Sequence, residues 1–325
     1  MKVTRRQLLA MASGGAAAVA LPARAAFADR AIKLVMPYPP GGGADQWARI
    51  VTGKLEKLLG QPIIFDYKPG GSTTIGAEAA ARAPADGYTI HLIDSTAFAY
   101  VPNMRKVNYD PLKSFTPVGA LGVLPLMLVA HPAVPAKDVR ELVAYAKANP
   151  GKLNCASAGI GSPHHLIAEF FKIRAGITMK HVPYRGAVQY LADLVGGQVD
   201  LAVSTIAPAV PYLQGGRIKA LGVTSARRSV AVPDVPTIAE QGFPGFDEKP
   251  WNCFVAPAGV PADALEHLRA AFRKTYEDPD VVAALQKAGV EDVGAMTTSQ
   301  ITEQMRLDLT KWGDVIRQAN ITVES

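Results

Sequence analysis

Tyr38-Pro39-Pro40-Gly41-Gly42-Gly43-Ala44-Asp45 has the residue types and spacing of a loop that holds an anion. Three consecutive glycines reach left-handed backbone angles at little steric cost and let the chain pass close to a ligand. Asp45 stands where a helix N-cap belongs, just ahead of Trp47, Ala48 and Arg49. Amides at such a helix start point outward and, with the helix dipole, attract a carboxylate, sulfate or phosphate. That attraction is worth about 0.3–1 kcal/mol when exposed and up to about 2 kcal/mol when partly buried. The same residues also suit an ordinary strand-to-helix turn. Nucleotide phosphates are disfavoured, because the later glycine of G-x-G-x-x-G is missing and no Gly-Lys-Ser/Thr follows.

Further small polar clusters sit where strands should end. Lys68-Pro69-Gly70-Gly71-Ser72-Thr73-Thr74-Ile75-Gly76 leads into a helix, Asp94-Ser95-Thr96 closes an apolar run, and Ser157-Ala158-Gly159-Ile160-Gly161-Ser162 opens another helix. Hydroxyls and backbone amides bind carboxylates without burying a cationic side chain, although each cluster alone serves equally as a cap. His164 and His165 are neighbours on a helix, so they point to different sides and do not share a metal. His165 suits either a hydrogen bond to a ligand or a structural cap. Tyr184-Arg185-Gly186 offers a phenol and a guanidinium, or merely an exposed turn. For catalysis the chain offers little: Cys155-Ala156-Ser157-Ala158-Gly159 has the wrong first residue for a G-x-S-x-G elbow, and Cys155 with His165 as base has no supporting motif.

These loops need a scaffold. Ile32–Met36, Ile63–Asp66 and Thr89–Ile93 read as short buried strands, alternating with helices near Asp45–Leu59 and Ile75–Arg82. The rhythm restarts after Leu124–Val129: a helix near Val139–Ala148, a strand near Leu153–Ala156, a helix near Pro163–Arg174, then strands near Lys180–Val182, Leu201–Ser204 and Leu221–Val223. This is the βαβ pattern of parallel sheets in two α/β lobes. Residues 262–319 read as helices only and need the first lobe's sheet to cover. Trp251–Pro257 returns the chain to that lobe, which makes two crossings and a cleft beyond the carboxyl ends of the strands, where ligands bind in open α/β sheets. The lobes are expected at 29–127 plus 253–325 and at 128–252.

Residues 1–28 read as an export signal: Lys2, Arg5 and Arg6, an apolar stretch from Leu8 to about Leu21, and Ala26-Phe27-Ala28 as a cleavage site. The apolar stretch is shorter than the ~20 residues of a membrane span, and Thr4-Arg5-Arg6-Gln7-Leu8-Leu9 fits the twin-arginine pattern. The formal charge of +6 loses Lys2, Arg5, Arg6 and Arg24 with that segment and falls to +2, which removes the concentrated basic face a nucleic-acid partner would require. Two cysteines, Cys155 and Cys253, are compatible with one bridge or with two buried thiols.

Across essentially the whole mature chain the sequence resembles the Bug family, the periplasmic solute receptors of tripartite tricarboxylate transporters. The resemblance rests on Pro39-Pro40-Gly41-Gly42-x-x-Asp45-x-x-Ala48-Arg49, Lys68-Pro69-Gly70, Ala85-Asp86-Gly87-Tyr88-Thr89, Tyr109-Asp110-Pro111 and Phe115-Thr116-Pro117-Val118. Ser157-x-Gly159-x-Gly161-Ser162-x-x-His165-Leu166, Val182-Pro183-Tyr184-x-Gly186 and, most distinctive, Pro233-Asp234-Val235-Pro236-Thr237-Ile238-Ala239-Glu240-Gln241-Gly242 extend it. It implies a two-lobed, Venus-flytrap binding protein: a periplasmic monomer that captures a small carboxylate and delivers it to a membrane permease, with no metal, cofactor or catalysis. Carried across by motif, Tyr38 packs over the ligand, Gly42, Gly43, Ala44 and Asp45 hold its carboxylate, and Ser157, Ser162 and His165 contact it from the second lobe. Tyr184 and Thr205 are further contacts, with Thr73, Ser95 and Thr96 from the polar strand ends. Asp66-Tyr67-Lys68 stands where Glu-Asn-Arg or Glu-Asn-Lys is usual, and Gly71-Ser72-Thr73-Thr74 replaces the common Ala-Gly-Gly, so the second loop is expected to select a different distal group. A sensor for a two-component system and an exported hydrolase are the alternatives.

Overall fold

β-branched and aliphatic runs of four to nine residues, each ended by proline, glycine or a small polar cluster, form two five-stranded sheets in a computed structural model that describes residues 29–322. The first sheet has the order β2(Ile63–Tyr67), β1(Ile32–Met36), β3(Thr89–Asp94), β10(Trp251–Pro257), β4(Phe115–Val123). The second has the order β7(Lys180–Pro183), β6(Asn154–Ser157), β8(Leu201–Thr205), β5(Leu126–Ala130), β9(Lys219–Val223). In each, the first three strands are parallel and the fourth runs antiparallel to its neighbours. Those two antiparallel strands, β10 and β5, are the first elements after the chain changes sheet. The export segment expected at 1–28 lies outside the described residues, and no described helix is long and apolar enough to cross a membrane.

The two sheets make the two-lobed α/β architecture of periplasmic binding proteins. The chain leaves the first sheet through Leu124-Pro125 and returns through Glu248–Pro250; the Leu124 amide donates to the Pro250 carbonyl at 2.8 Å, so the crossings lie side by side. Helices α1(Gly43–Leu59), α8(Ala262–Tyr276) and α9(Pro279–Lys287) cover one face of the first sheet through Val51, Leu55, Leu268, Phe272 and Leu285. The other face belongs to a hydrophobic cluster that continues without a break into the second lobe, from Phe98 and Tyr100 through Trp312 to Leu166 and Phe171. Its bridge is α10(Thr298–Gln318), whose Trp312 ring lies 5.1 Å from Tyr100 of the first lobe and 6.1 Å from Phe170 of the second. Residues 262–319 thus cover the first sheet and also reach the second lobe.

Cys155 and Cys253 lie in different sheets as free, buried thiols. The bridge that two cysteines allowed is therefore not made, as a chain with this much core needs no covalent staple.

At the return crossing Glu248 is 3% exposed and pairs with Lys311 of α10, while Asp308 accepts from Trp251 Nε1 at 2.7 Å. Burial raises the Glu248 carboxyl from 4.5 to about 7, with Lys311 opposing the shift. A folded carboxyl that holds its proton more tightly than the unfolded one contributes stability below the unfolded value and loses it as pH climbs through the folded one. The stability advantage of wild type over Glu248→Gln should therefore shrink as pH rises from about 5 to about 8 in thermal melts. Parallel curves would show that Glu248 does not titrate in that window.

Candidate functional site

Parallel strands deliver their helices at one end, and here several helix starts meet in the space between the lobes. β1 feeds α1 at Gly42, β2 feeds α2(Thr74–Ala81) at Thr73, and β3 feeds a short π-type turn, Thr96–Tyr100, at Ser95. From the second lobe β6 feeds α5(Pro163–Ala175) at Ser162, and β8 feeds α7(Ile206–Gln214) at Thr205. These starts wall a cleft of about 600 Å³ lined from both lobes.

The glycine loop supplies the opening at α1. Gly42 is the N-cap and no side chain caps the turn, so the amides of the first turn have no intrahelical acceptor. Gly42 and Gly43 are exposed, and with Ala44 they line the cleft under Tyr38 and Trp47. Asp45 does something different from the cap its position implied: it is buried, and both of its oxygens are used inside the lobe. Oδ2 accepts from the Gly41 amide and Arg49 Nε, both at 3.0 Å, and Oδ1 accepts from the Tyr67 hydroxyl at 2.7 Å. Burial alone would raise this carboxyl, but Tyr67, the Gly41 amide and Arg49 together hold it below the ordinary range. Asp45 braces the loop that presents the amides.

The floor of the cleft is a polar cluster on the first sheet. Asp94, 5% exposed, accepts from the Tyr38 hydroxyl, from Thr73 Oγ1 at 2.9 Å and from the Ala97 amide at 2.8 Å. Ser72 and Thr73 adopt positive φ angles of 53° and 70° without being glycine, a strain concentrated at ligand sites and held here by the Thr73–Asp94 bond. Ser95 Oγ accepts from the Trp251 amide at 3.1 Å, which ties the cleft floor to the return crossing. Asn252 pairs across the sheet with Asp94; it is 3% exposed and lines the cleft, and its side-chain nitrogen has no hydrogen-bond partner.

In the second lobe Ser162 lines the cleft while its hydroxyl donates to the Gly159 carbonyl at 2.7 Å and accepts from the His165 amide at 3.3 Å. Thr205 also lines it. Three residues carried across by motif lie behind this wall. Ser157 is fully buried, with Oγ 2.6 Å from His181 Nε2. His165 accepts from the Gly161 amide at 3.1 Å, stacks on His181 at 3.7 Å and has Nε2 3.6 Å from Glu169. Tyr184 donates to Asp193 at 2.7 Å, and burial with that contact pushes its phenol up to about 12. His164, by contrast, stands in the cleft wall, and neither of its ring nitrogens has a partner. Burial lowers it to about 4, so the ring is neutral.

The structure thus gathers Tyr38, Gly42, Gly43, Ala44, Thr73, Ser95, Thr96, Ser162 and Thr205 at the cleft, and sets Asp45, Ser157, His165 and Tyr184 one layer back. Residue types alone did not single out Trp47, Asp94, Leu126, His164 or Asn252 as part of it; only Asp94, beside two hydroxyls at a strand end, carried a signal. Among the described lining residues Asp94 is the only charged side chain, and no described cluster of three His, Cys, Asp or Glu has metal-site geometry. Burial pushes the Cys155 thiol up to about 12, which leaves it an unreactive thiol rather than a nucleophile.

A family model described as "Tripartite tricarboxylate transporter family receptor" matches residues 47–321. The chain is 32% identical over 305 residues to protein BugT of Bordetella pertussis, covering 93% of each sequence. Two solved structures are similar throughout. One, an R. palustris protein with adipate, has a TM-score of 0.76 and 31% identity over 90% of this chain and 98% of that one. The other, MatC from Rhodopseudomonas palustris with bound malate, has a TM-score of 0.72 and 32% identity over 89% and 99%.

Asp45→Ala should lower stability by roughly 1–3 kcal/mol in urea titrations, because Tyr67 and the Gly41 amide lose a charged acceptor. An unchanged midpoint would remove Asp45 as a brace. Cys155 and Cys253 should resist a thiol reagent in the native protein and react once it is unfolded; rapid native labelling would contradict their burial.

Proposed function

The chain belongs to the tripartite tricarboxylate transporter receptor family, and from there we propose that it is a periplasmic receptor that captures a small carboxylate between its lobes. It acts as a monomer and hands the ligand to the membrane permease of a tripartite tricarboxylate-type transporter. The family is one of binding receptors rather than enzymes, and its structural relatives hold adipate and malate in solved complexes. One observation carries the reading: the uncapped start of α1 opens into an interlobe cleft with no lysine or arginine among its described lining residues. Anion capture there falls to backbone amides and helix dipoles, which bind a carboxylate at a lower desolvation cost than a buried ammonium would.

Binding and closing are the same event in this reading. A ligand that touches α1 in one lobe and α5 or α7 in the other prefers the closed arrangement by its differential affinity, and the adjacent crossings at Leu124-Pro125 and Glu248–Pro250 absorb the rotation. A micromolar receptor requires about 8 kcal/mol of net binding free energy. Amide hydrogen bonds to one carboxylate, with Tyr38 and Trp47 over an apolar body, are the contacts available to provide it.

The test is a thermal-shift screen of mature protein stripped of ligand by partial unfolding and refolding, against mono-, di- and tricarboxylates, aromatic acids and acidic amino acids. Ligand that binds the native state raises the melting temperature through RT ln(1 + [L]/Kd). One carboxylate class should shift it clearly; no shift with any acid would sink the receptor reading. In calorimetry Asp45→Ala should bind that acid roughly tenfold more weakly, and Cys155→Ser should bind it as wild type does.

A further inference from the structure

The lining of the cleft is unevenly furnished, and the unevenness bears on what the far end of the ligand must be. Among its described lining residues the one acidic side chain is Asp94, and its hydrogen-bond partners are donors, the Tyr38 and Thr73 hydroxyls and the Thr96 and Ala97 amides, which oppose the upward shift that burial gives its carboxyl. Beside it Asn252, 3% exposed, also lines the cleft, and its side-chain nitrogen is buried without a hydrogen-bond partner. A buried donor left unpaired costs the desolvation of that group, so its retention next to an open cleft marks a place for an acceptor from outside. From the second lobe His164 lines the cleft with a neutral ring whose two nitrogens, one a donor and one an acceptor, are buried and unpartnered. Between these polar groups the walls are apolar: Trp47, Leu124, Leu126, Ile160 and the prolines Pro39 and Pro250.

We propose, on the footing of the receptor reading above, that this cleft selects monocarboxylates whose far end carries an uncharged hydroxyl or carbonyl oxygen. Asn252 donates to that oxygen, His164 completes its hydrogen bonding from the other lobe, and Asp94 excludes a second carboxylate. The exclusion is electrostatic. Burial already raises the Asp94 carboxyl above its ordinary range, so a second carboxylate beside it, with no lysine or arginine among the described lining residues, meets repulsion or must bring a proton with it. A hydroxyl or carbonyl meets the same groups without that repulsion. Discrimination of this kind is steep because the wrong ligand leaves buried polar groups unpaired.

Two matched sets of acids test it by calorimetry on stripped mature protein: hexanoate, its ω-hydroxy derivative and adipate; and benzoate, para-hydroxybenzoate and terephthalate. In at least one set the hydroxy acid should bind about tenfold or more tightly than the dicarboxylate. Asn252→Ala and His164→Ala should each weaken the hydroxy acid by roughly tenfold while leaving the unsubstituted acid nearly unchanged, a split that general loss of folding would not give. Asp94→Asn should narrow the gap by improving the dicarboxylate. Because Asp94 also holds Thr73 and Tyr38, its melting curve is recorded alongside, and the Asn252 and His164 variants decide the matter if it fails to fold. Failure of the hydroxy acid to outbind its dicarboxylate in both sets would overturn this selectivity and leave the carboxylate receptor standing. Hydroxy-acid preference that survives both alanine variants would remove Asn252 and His164 from it. No binding by any of the six acids would overturn this selectivity, and the receptor reading would fall with it only if the wider carboxylate screen also gave no shift.

Discussion

A helix cannot satisfy its own first amides, and this molecule arranges several such deficits around one volume. The parallel strands β1, β2 and β3 of the first lobe and β6 and β8 of the second all end there, so α1, α2, the π-type turn, α5 and α7 begin there. Their dipoles give the cleft a positive character without a lysine or arginine among its described lining residues. The rest of the fold serves that arrangement. Sheets fix where the helix starts lie, and the covering helices Ala262–Tyr276 and Pro279–Lys287 fix the sheet against α1.

The starts are not equivalent, because some amides are already engaged. Ser162 caps α5 with its own hydroxyl, and Asp94 takes up the amide of Ala97 in the π-type turn. At α1 the acid placed to cap the helix is turned inward to brace Gly41, Arg49 and Tyr67, so that start stays open. Loop geometry and ligand availability are set by one carboxylate placed four residues after Gly41. The continuous cluster from Tyr100 through Trp312 to Phe170 adds a constraint of its own: through α10 the lobes share a packed core, so part of their contact is fixed by side-chain packing.

Much of this was legible in the residues. Ile32–Met36 is a strand over those residues, and the second and third strands each extend one residue beyond the runs that marked them. The strand Phe115–Val123 gave no such signal, since Pro117, Gly119 and Gly122 break its pattern; it sits at a sheet edge, where a proline costs no ladder bond. The helix Ile206–Gln214 was hidden by Pro211 in its interior. The choice between His164 and His165 was beyond the reach of motif reading. Adjacent helical residues point about 100° apart, and which one faces the cleft depends on where α5 sits. The Gly161 amide and the His181 ring hold His165 inside the lobe, and that leaves His164 at the wall. Asn252 was equally silent, because its importance comes from pairing with Asp94 across a sheet that joins residues far apart in the chain.

Asp94 looks misplaced in a site meant for anions, yet its position follows from the same accounting of amides. A buried carboxylate survives where donors surround it, and the strained Thr73, the Tyr38 hydroxyl and the start of the π-type turn are all donors that no ligand then has to satisfy. By occupying them Asp94 locks the second loop and Tyr38 into shape and divides the cleft into two ends. Attraction for a negative group remains at the open start of α1, while the floor around Asp94 repels one. A cleft built only of helix starts would hold an anion in several places with little preference. One negative side chain at its floor turns that diffuse field into a direction, and a direction is what a receptor needs in order to seat an asymmetric ligand one way round.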